Sequence, residues 1–284
     1  SFQRFIYDTI LSSPSKDSTR KNKMSTLSLL SQFRPGLSFK GITPTLIHYF
    51  ENFLYEKGHK VNTVAKHMKH LKSFVNSAID QGHIRIQDYP FQRYKAKRAK
   101  GKSTHLLPEE IQKLENLVLS GRAQSLTHTL EAFLFCCYTG LRYSDFTNLS
   151  EKNIIITQKK PWIILNTVKT GTEVKLPLSL LFEGKAWNLL QKHKGQWNEF
   201  FNLKTNSTVN KELIRIASLA GIEKHFSFHS ARHTCATLLI YNGANITTVQ
   251  KLLGHRNVAT TQIYSNIMES TVVKDLKKCA KEKR

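Results

Sequence analysis

Cysteine is scarce in this chain. Four occur in 284 residues, with Cys136 and Cys137 adjacent and Cys235 and Cys279 standing alone. No CxxC pair is present, which excludes a disulfide framework and a thiolate metal finger; the thiols read as buried groups of a reducing compartment. No apolar run reaches the length of a spanning helix, and no secretory hydrophobic region opens the chain, so no membrane role is expected and the cytoplasm is. Acidic residues are also few: 20 Asp plus Glu stand against 43 Lys plus Arg, a net charge of +23. That imbalance calls for a polyanionic partner, nucleic acid first and a membrane surface second. An initiating Met is lacking as well, because SFQRFIYDTILSS starts abruptly in a helical pattern and reads as a piece of a longer protein.

What is present suffices for real cores. With 40% hydrophobic and 22% charged residues, the chain is expected to build one or two ordinary domains rather than remain disordered. Three segments, 16–33, 44–57 and 62–80, keep apolar anchors at helical spacing: Leu27, Leu30 and Phe33; Leu46, Phe50 and Phe53; Val64, His67, Met68, Leu71 and Val75. Thr43-Pro44 and Asn62 read as start signals, Gly58 and Gly82 as stops. With the opening segment, this predicts a four-helix bundle to about Asp88. Its polar faces carry Arg20, Lys21, Lys23, Lys60, Lys66, Lys69 and Lys72, either solvating the helices or holding phosphates through counterion release. Next comes a basic tract without apolar periodicity, including Arg93, Lys95, Lys97, Arg98, Lys100 and Lys102. The expected division is residues 1–92, a helical domain; 93–104, a basic linker; and 105–284, a second domain. The linker is either a solvated tether or a strap across a DNA backbone.

In the second domain, Leu107-Pro108 begins a helix with Glu109 and Glu110 in its first turn. Further helices are predicted around 111–119, 126–138, 178–193 and 207–220. Between them NIIIT, WIILN and TEVKLP alternate or run apolar over strand lengths, predicting a small antiparallel sheet. Trp187 and Trp197 read as packing groups rather than base-stacking platforms. Gly140 reads as a helix end and Ser144 as the cap of the next helix, placing Arg142 in a turn where its planar fork can be aimed at two phosphate oxygens. Asp145 either orients Arg142 or simply favours its own helix N-terminus.

The stretch from His229 to Tyr264 is the densest in chemistry. On one predicted helix His229, Arg232 and His233 share a face, with Ala231, Cys235, Leu238 and Leu239 on the adjoining apolar face. Gly243 suits a helix end and Asn245 the cap of the next helix, ITTVQKLL, which Gly254 stops just before His255. Asn257 suits the cap of a third short helix, along which Ile263 is expected to face the core while Tyr264 projects elsewhere. His229 and His233 have the spacing of a metal pair, yet no glutamate stands where a zinc hydrolase needs its base, and Arg232 lies between them.

HSARHT, then LGH, then TTQIY, together with the upstream TGLRYSDFTNL at 139–149, resemble the boxes of the tyrosine recombinases, the integrases of phages and bacterial mobile elements, in matching order over the C-terminal two thirds. The resemblance implies a mainly α fold with a small antiparallel sheet, a core-binding domain joined to a catalytic domain, and no N-terminal arm-binding region in this stretch. It implies an active site of Arg142, Lys169, His229, Arg232, His255 and Tyr264, with Lys175 on the same hairpin as the alternative lysine and His233 in support. No cofactor or metal is expected. Tyr264 is to attack the phosphodiester and form a 3′-phosphotyrosine; Arg142 and Arg232 to stabilise the transition state; Lys169 to protonate the leaving 5′ oxygen; His229 to manage the tyrosine proton; and His255 to hydrogen-bond the phosphate. The implied partners are double-stranded DNA and three further copies in a tetramer on paired sites, with a monomer in the absence of DNA and accessory DNA-bending proteins besides. Implied too are a bacterial nucleoid location, a role in integration, excision or inversion, and a C-terminal tail, MESTVVKDLKKCAKEKR, that docks on its own domain or, preferably, a neighbour's. The rival readings are a type IB topoisomerase-like strand cutter and a noncatalytic basic DNA-binding protein.

Overall fold

The computed structural model describes residues 1–99, 101 and 103–264, which fall into two compact units, Ser1–Gly101 and, from Lys102, the remainder. Lys100, Lys102 and the tail beyond Tyr264, all named in the sequence analysis, lie outside the described residues. Among the described residues no helix is long and apolar enough to cross a membrane.

The first unit is built from α1 (Phe2–Ser12), α2 (Asp17–Phe33), α3 (Pro44–Glu56) and α4 (Val61–Asp80). Thr43 caps α3 through its hydroxyl and Pro44 occupies the first turn, where a missing N–H costs nothing. Gly58 and Gly82 take positive φ after α3 and α4, as expected. The apolar stripes meet in a core of Phe2, Ile6, Leu30, Phe50, Leu71 and Phe74. Asn62 does not start α4, whose N-cap is Lys60. Its amide instead donates to the carbonyl of Ala99 and its oxygen accepts from the Ala99 N–H, both at 3.0 Å, pinning the end of the basic tract to α4.

The second unit opens with α5 (Pro108–Glu115), α6 (Thr127–Thr139) and the single turn α7 (Tyr143–Phe146). α6 is buried on nearly every side, which is why it reads as a plain apolar run rather than an amphipathic stripe. Strands β1 (Ile154–Thr157), β2 (Lys160–Asn166) and β3 (Glu173–Pro177) form an antiparallel sheet in that order. Cross-strand pairs Ile163 with Leu176 and Leu165 with Val174 point into the core. The β1–β2 turn is Gln158-Lys159, both at positive φ, the mirror-image turn that matches strand twist.

After the sheet come α8 (Lys185–Lys192), α9 (Trp197–Phe201), α10 (Asn206–Leu219), α11 (Phe228–Tyr241), α12 (Ile246–Leu253) and α13 (Ala259–Gln262). The helix expected over 178–193 begins only at Lys185, because Phe182 and Glu183 adopt left-handed φ in a tight turn before it. Trp187 and Trp197 pack on the core, and the Trp197 indole donates to the Leu190 carbonyl at 2.9 Å. The fold is thus mainly helical with one small antiparallel sheet.

Candidate active site

α6 ends at Gly140, whose φ of +71 supplies the left-handed cap. α7 then starts at Tyr143, so Arg142 rather than Ser144 is the residue at its N-cap. This correction matters for aim: the chain turns sharply at Arg142, and its side chain is only 16% exposed. The Asp145 carboxylate, 1% exposed, accepts from Arg142 Nη1 at 3.3 Å through one oxygen and from the Val168 N–H at 2.9 Å through the other. Of the two readings of Asp145, the geometry carries the first: it holds Arg142.

Val168 precedes Lys169 in the β2–β3 turn. That turn is closed by Thr167 N–H to the Thr172 carbonyl at 2.9 Å, Gly171 N–H to the Thr167 carbonyl at 2.8 Å, and a hydroxyl chain through Thr167, Thr170 and Thr172. Lys169 is exposed at its tip, close enough to depress the His229 pKa. Lys175 lies on β3 and pairs instead with Glu173 at 3.4 Å. Arg256, which sequence reasoning passed over, donates to the Thr170 carbonyl and so ties this turn to the segment carrying His255.

α11 contributes His229, Arg232 and His233. Its first turn is closed by a capping box between Ser227 and Ser230. Arg232 is 3% exposed; its Nη1 donates to the Gly140 carbonyl at 2.8 Å and its Nη2 to the Leu253 carbonyl. One guanidinium thereby knits the end of α6 to the end of α12, bringing the Arg142 turn and the His255 turn together. Burial, with Arg142 nearby, pushes the Arg232 pKa down to about 10. Gly254, at φ +61, ends α12; an added Cβ would lie 2.7 Å from Val174 Cγ2, so only glycine lets α12 approach β3 this closely. His255 follows, its Nδ1 hydrogen-bonded to the Thr261 hydroxyl at 2.9 Å.

The sequence reading placed Ile263 inward and Tyr264 elsewhere; the reverse holds. Ile263 is 48% exposed, and Tyr264 is 3% exposed, packed with Ala236, Val249 and Leu253. α13 is a single turn, too short for helical periodicity to say which side chain goes in. The Tyr264 hydroxyl lies 2.8 Å from His233 Nδ1. Sequence reasoning, which gave His233 only a supporting role, missed this contact.

Charge dominates the site. Burial first, then the surrounding cations and imidazoles, lowers all three histidines, His233 and His255 to about 4 and His229 by Arg232, Arg142 and Lys169. Burial raises Tyr264, opposed by Arg232 and Arg142. A cluster of positive charge beside a neutral phenol suits a monoanionic phosphodiester. Among the described residues no three His, Cys, Asp or Glu side chains converge as a metal cage. Lys66, Lys69, Arg93, Lys95, Lys97 and Arg98 are exposed on the first unit.

Two guanidinium groups close to one phenol are groups that phosphoryl transfer can use. Residues 104–270 match the phage integrase family and residues 1–97 the phage integrase SAM-like domain. A tyrosine recombinase of Pseudothermotoga lettingae is 31% identical over 169 residues, 58% of this chain and 56% of that protein, so this match spans just over half of that relative. Tyrosine recombinase XerD of Listeria monocytogenes is 29% identical over 237 residues, 77% of this chain and 76% of its own. In fold the chain is similar to lambda integrase, solved as a dimer bound to a COC′ core site (TM-score 0.77, 22% identity, 93% and 94% of the two chains) and as a tetramer bound to a Holliday junction (TM-score 0.76, 20% identity, 92% and 75%). The chain belongs to the phage integrase family, whose tyrosine recombinases are DNA strand-transferring enzymes. The family and fold expected from the sequence are therefore borne out.

Proposed function

We propose that this chain is a site-specific recombinase that cuts and rejoins double-stranded DNA through a 3′-phosphotyrosine on Tyr264, serving integration, excision or inversion of a bacterial mobile element in the cytoplasm. Arg142 and Arg232 hold the nonbridging oxygens as charge builds in the transition state. His255, anchored through Nδ1 by Thr261, presents its other nitrogen to the same phosphate, and His229 serves it from among the cations. Lys169 protonates the departing 5′ oxygen. Lys66, Lys69, Arg93, Lys95, Lys97 and Arg98 grip the DNA backbone without reading sequence, in keeping with a net charge of +23. Lys100 joins them as a sequence-based expectation. The helical residues 1–92 act as the core-binding domain, 93–104 as a strap and 105–284 as the catalytic domain. Four copies work on paired sites, with or without DNA-bending accessory proteins.

The observation that carries this reading is the Arg232 bridge between Gly140 and Leu253, which unites motifs far apart in the chain. On a nicked duplex that loses the short fragment bearing the freed 5′ hydroxyl after cleavage, the protein should accumulate a covalent DNA adduct. Tyr264→Phe should bind the same duplex and form none; an adduct from that variant, or none from the parent chain, refutes the assignment.

A further inference from the structure

Once Tyr264 is read as the nucleophile, some group must receive the phenolic proton as the Oη–P bond forms. Proton transfer needs heavy-atom contact of about 2.6–3.2 Å. Three imidazoles line the site, and they are not equivalent. His255 Nδ1 is occupied by the Thr261 hydroxyl. His229 is on the side of the cations, its charge balance set by Arg232, Arg142 and Lys169. His233 hydrogen-bonds to the phenol, its Nδ1 2.8 Å from the hydroxyl, with the two ring centroids 5.6 Å apart and the planes at 54°. The contact is no accident of two loose side chains. Tyr264 is wedged against Ala236, Val249 and Leu253. His233 is one residue beyond the immobilised Arg232 on α11 and meets the His229 ring edge-on at 4.8 Å.

We propose that His233 is a catalytic residue that holds the Tyr264 hydroxyl and accepts its proton during strand cleavage; this rests on the recombinase reading given above. In that step the Tyr264 oxygen bonds to phosphorus and the bond from phosphorus to the 5′ oxygen breaks. The phenolic proton passes to His233 Nδ1, and the leaving oxygen takes a proton from Lys169. No electrons are exchanged with any other species. Rejoining reverses each transfer, with imidazolium His233 returning its proton to the phenolate.

The electrostatics adds a condition. His233 is surrounded by His229 and Arg232 on α11, His105 from the segment before α5, His255 after α12, and Tyr264 itself; burial and these neighbours keep its imidazole neutral, with a lone pair free to accept. Their positive field also makes it a weak base in the empty site. A phosphodiester seated on Arg142 and Arg232 brings a negative charge that cancels part of that field and makes His233 more basic. The nucleophile is thus activated when substrate is present and kept protonated when it is not.

The test is single-turnover adduct formation on a nicked duplex built from the junction sequence that the protein produces in cells, followed from about pH 5.5 to about pH 9.5. His233→Gln keeps a polar group at the phenol but cannot be protonated there. Its adduct rate near neutrality should fall by about 10²-fold or more, the size of a lost general base, while DNA affinity in a band-shift assay stays unchanged. Its rate should then climb steadily with pH where the parent enzyme levels off. His233→Ala should be partly restored by added imidazole, and Tyr264→Phe should not. A His233→Gln rate and pH profile matching the parent's overturns the proposal. So does a uniform slowing at every pH without imidazole rescue, which marks His233 as packing only. No adduct from the parent enzyme overturns the recombinase reading and this proposal with it, so the two failures are distinct.

Discussion

Replacing Asp145 by Asn removes one charge and one acceptor from a carboxylate that serves two masters. One oxygen receives the Val168 N–H at 2.9 Å and the other Arg142 Nη1 at 3.3 Å, with the side chain 1% exposed. An amide has a single oxygen. If that oxygen stays on Val168, an NH₂ group faces the Arg142 guanidinium, donor against donor; if it turns to Arg142, the Val168 N–H loses its acceptor. Either way a buried charge-assisted hydrogen bond is lost, which costs about 1.5–3 kcal/mol. Arg142 is 16% exposed and keeps some access to water, so about 2 kcal/mol is the working figure, below the cost of stranding a fully buried ion. For a unit of this size that lowers the melting temperature by about 4–8 °C. The same loss in holding Arg142 against the transition state corresponds to about a thirtyfold slower cleavage. Thermal melting and single-turnover adduct formation measure the two effects on one preparation. An Asn variant that melts within about a degree of the parent and cleaves within about twofold of it would refute the argument that Asp145 positions Arg142.

Two further outcomes test the frame around the site. Gly254→Ala must hold φ +61 and fit a Cβ 2.7 Å from Val174 Cγ2, costing about 2–4 kcal/mol from backbone and overpacking together; Gly171→Ala, at φ +65 with open space around it, should lose only about 1 kcal/mol, and equal melting losses would contradict the packing argument. In the first unit, burial, followed by Lys66, His59 and His70, lowers the pKa of His67, 2% exposed, to about 4. The unfolded chain titrates near 6.5 and so binds the proton first. Stability is then complete above about pH 6.5 and declines as pH falls toward 4. Urea denaturation at a series of pH values should show that decline flattened in His67→Gln; an unchanged slope would mean that His67 does not set it.

How much of this was legible beforehand follows from the physics of each element. The stripes of α2, α3 and α4 each pack one face on a core, so their period speaks plainly, and His67 declared itself by falling on the apolar stripe. Gly140 and Gly254 were legible because positive φ leaves few alternatives. The β-hairpins showed through alternation, although Gln158-Lys159 makes its turn without the expected glycine or asparagine. What stayed hidden was set by contacts between segments distant in sequence. Asn62 has the chemistry of a cap, and only the proximity of Ala99 diverts it to another task. Arg256 has no local signature at all, since its partner is the Thr170 carbonyl in the distant β2–β3 turn.

The same reasoning explains the division of labour among the histidines. Spacing alone puts His229, Arg232 and His233 on one face of α11 and leaves open which imidazole meets the phenol. That choice depends on where Tyr264 goes, and Tyr264 goes inward because Ala236, Val249 and Leu253 offer it an apolar seat beside α11. Seating the ring there brings the hydroxyl to His233. On the proposal above, a buried tyrosine held by a neutral imidazole is a poor nucleophile until an anion reaches the two arginines. On the same proposal, the packing that seats Tyr264 against Ala236, Val249 and Leu253 also delays chemistry until DNA is bound.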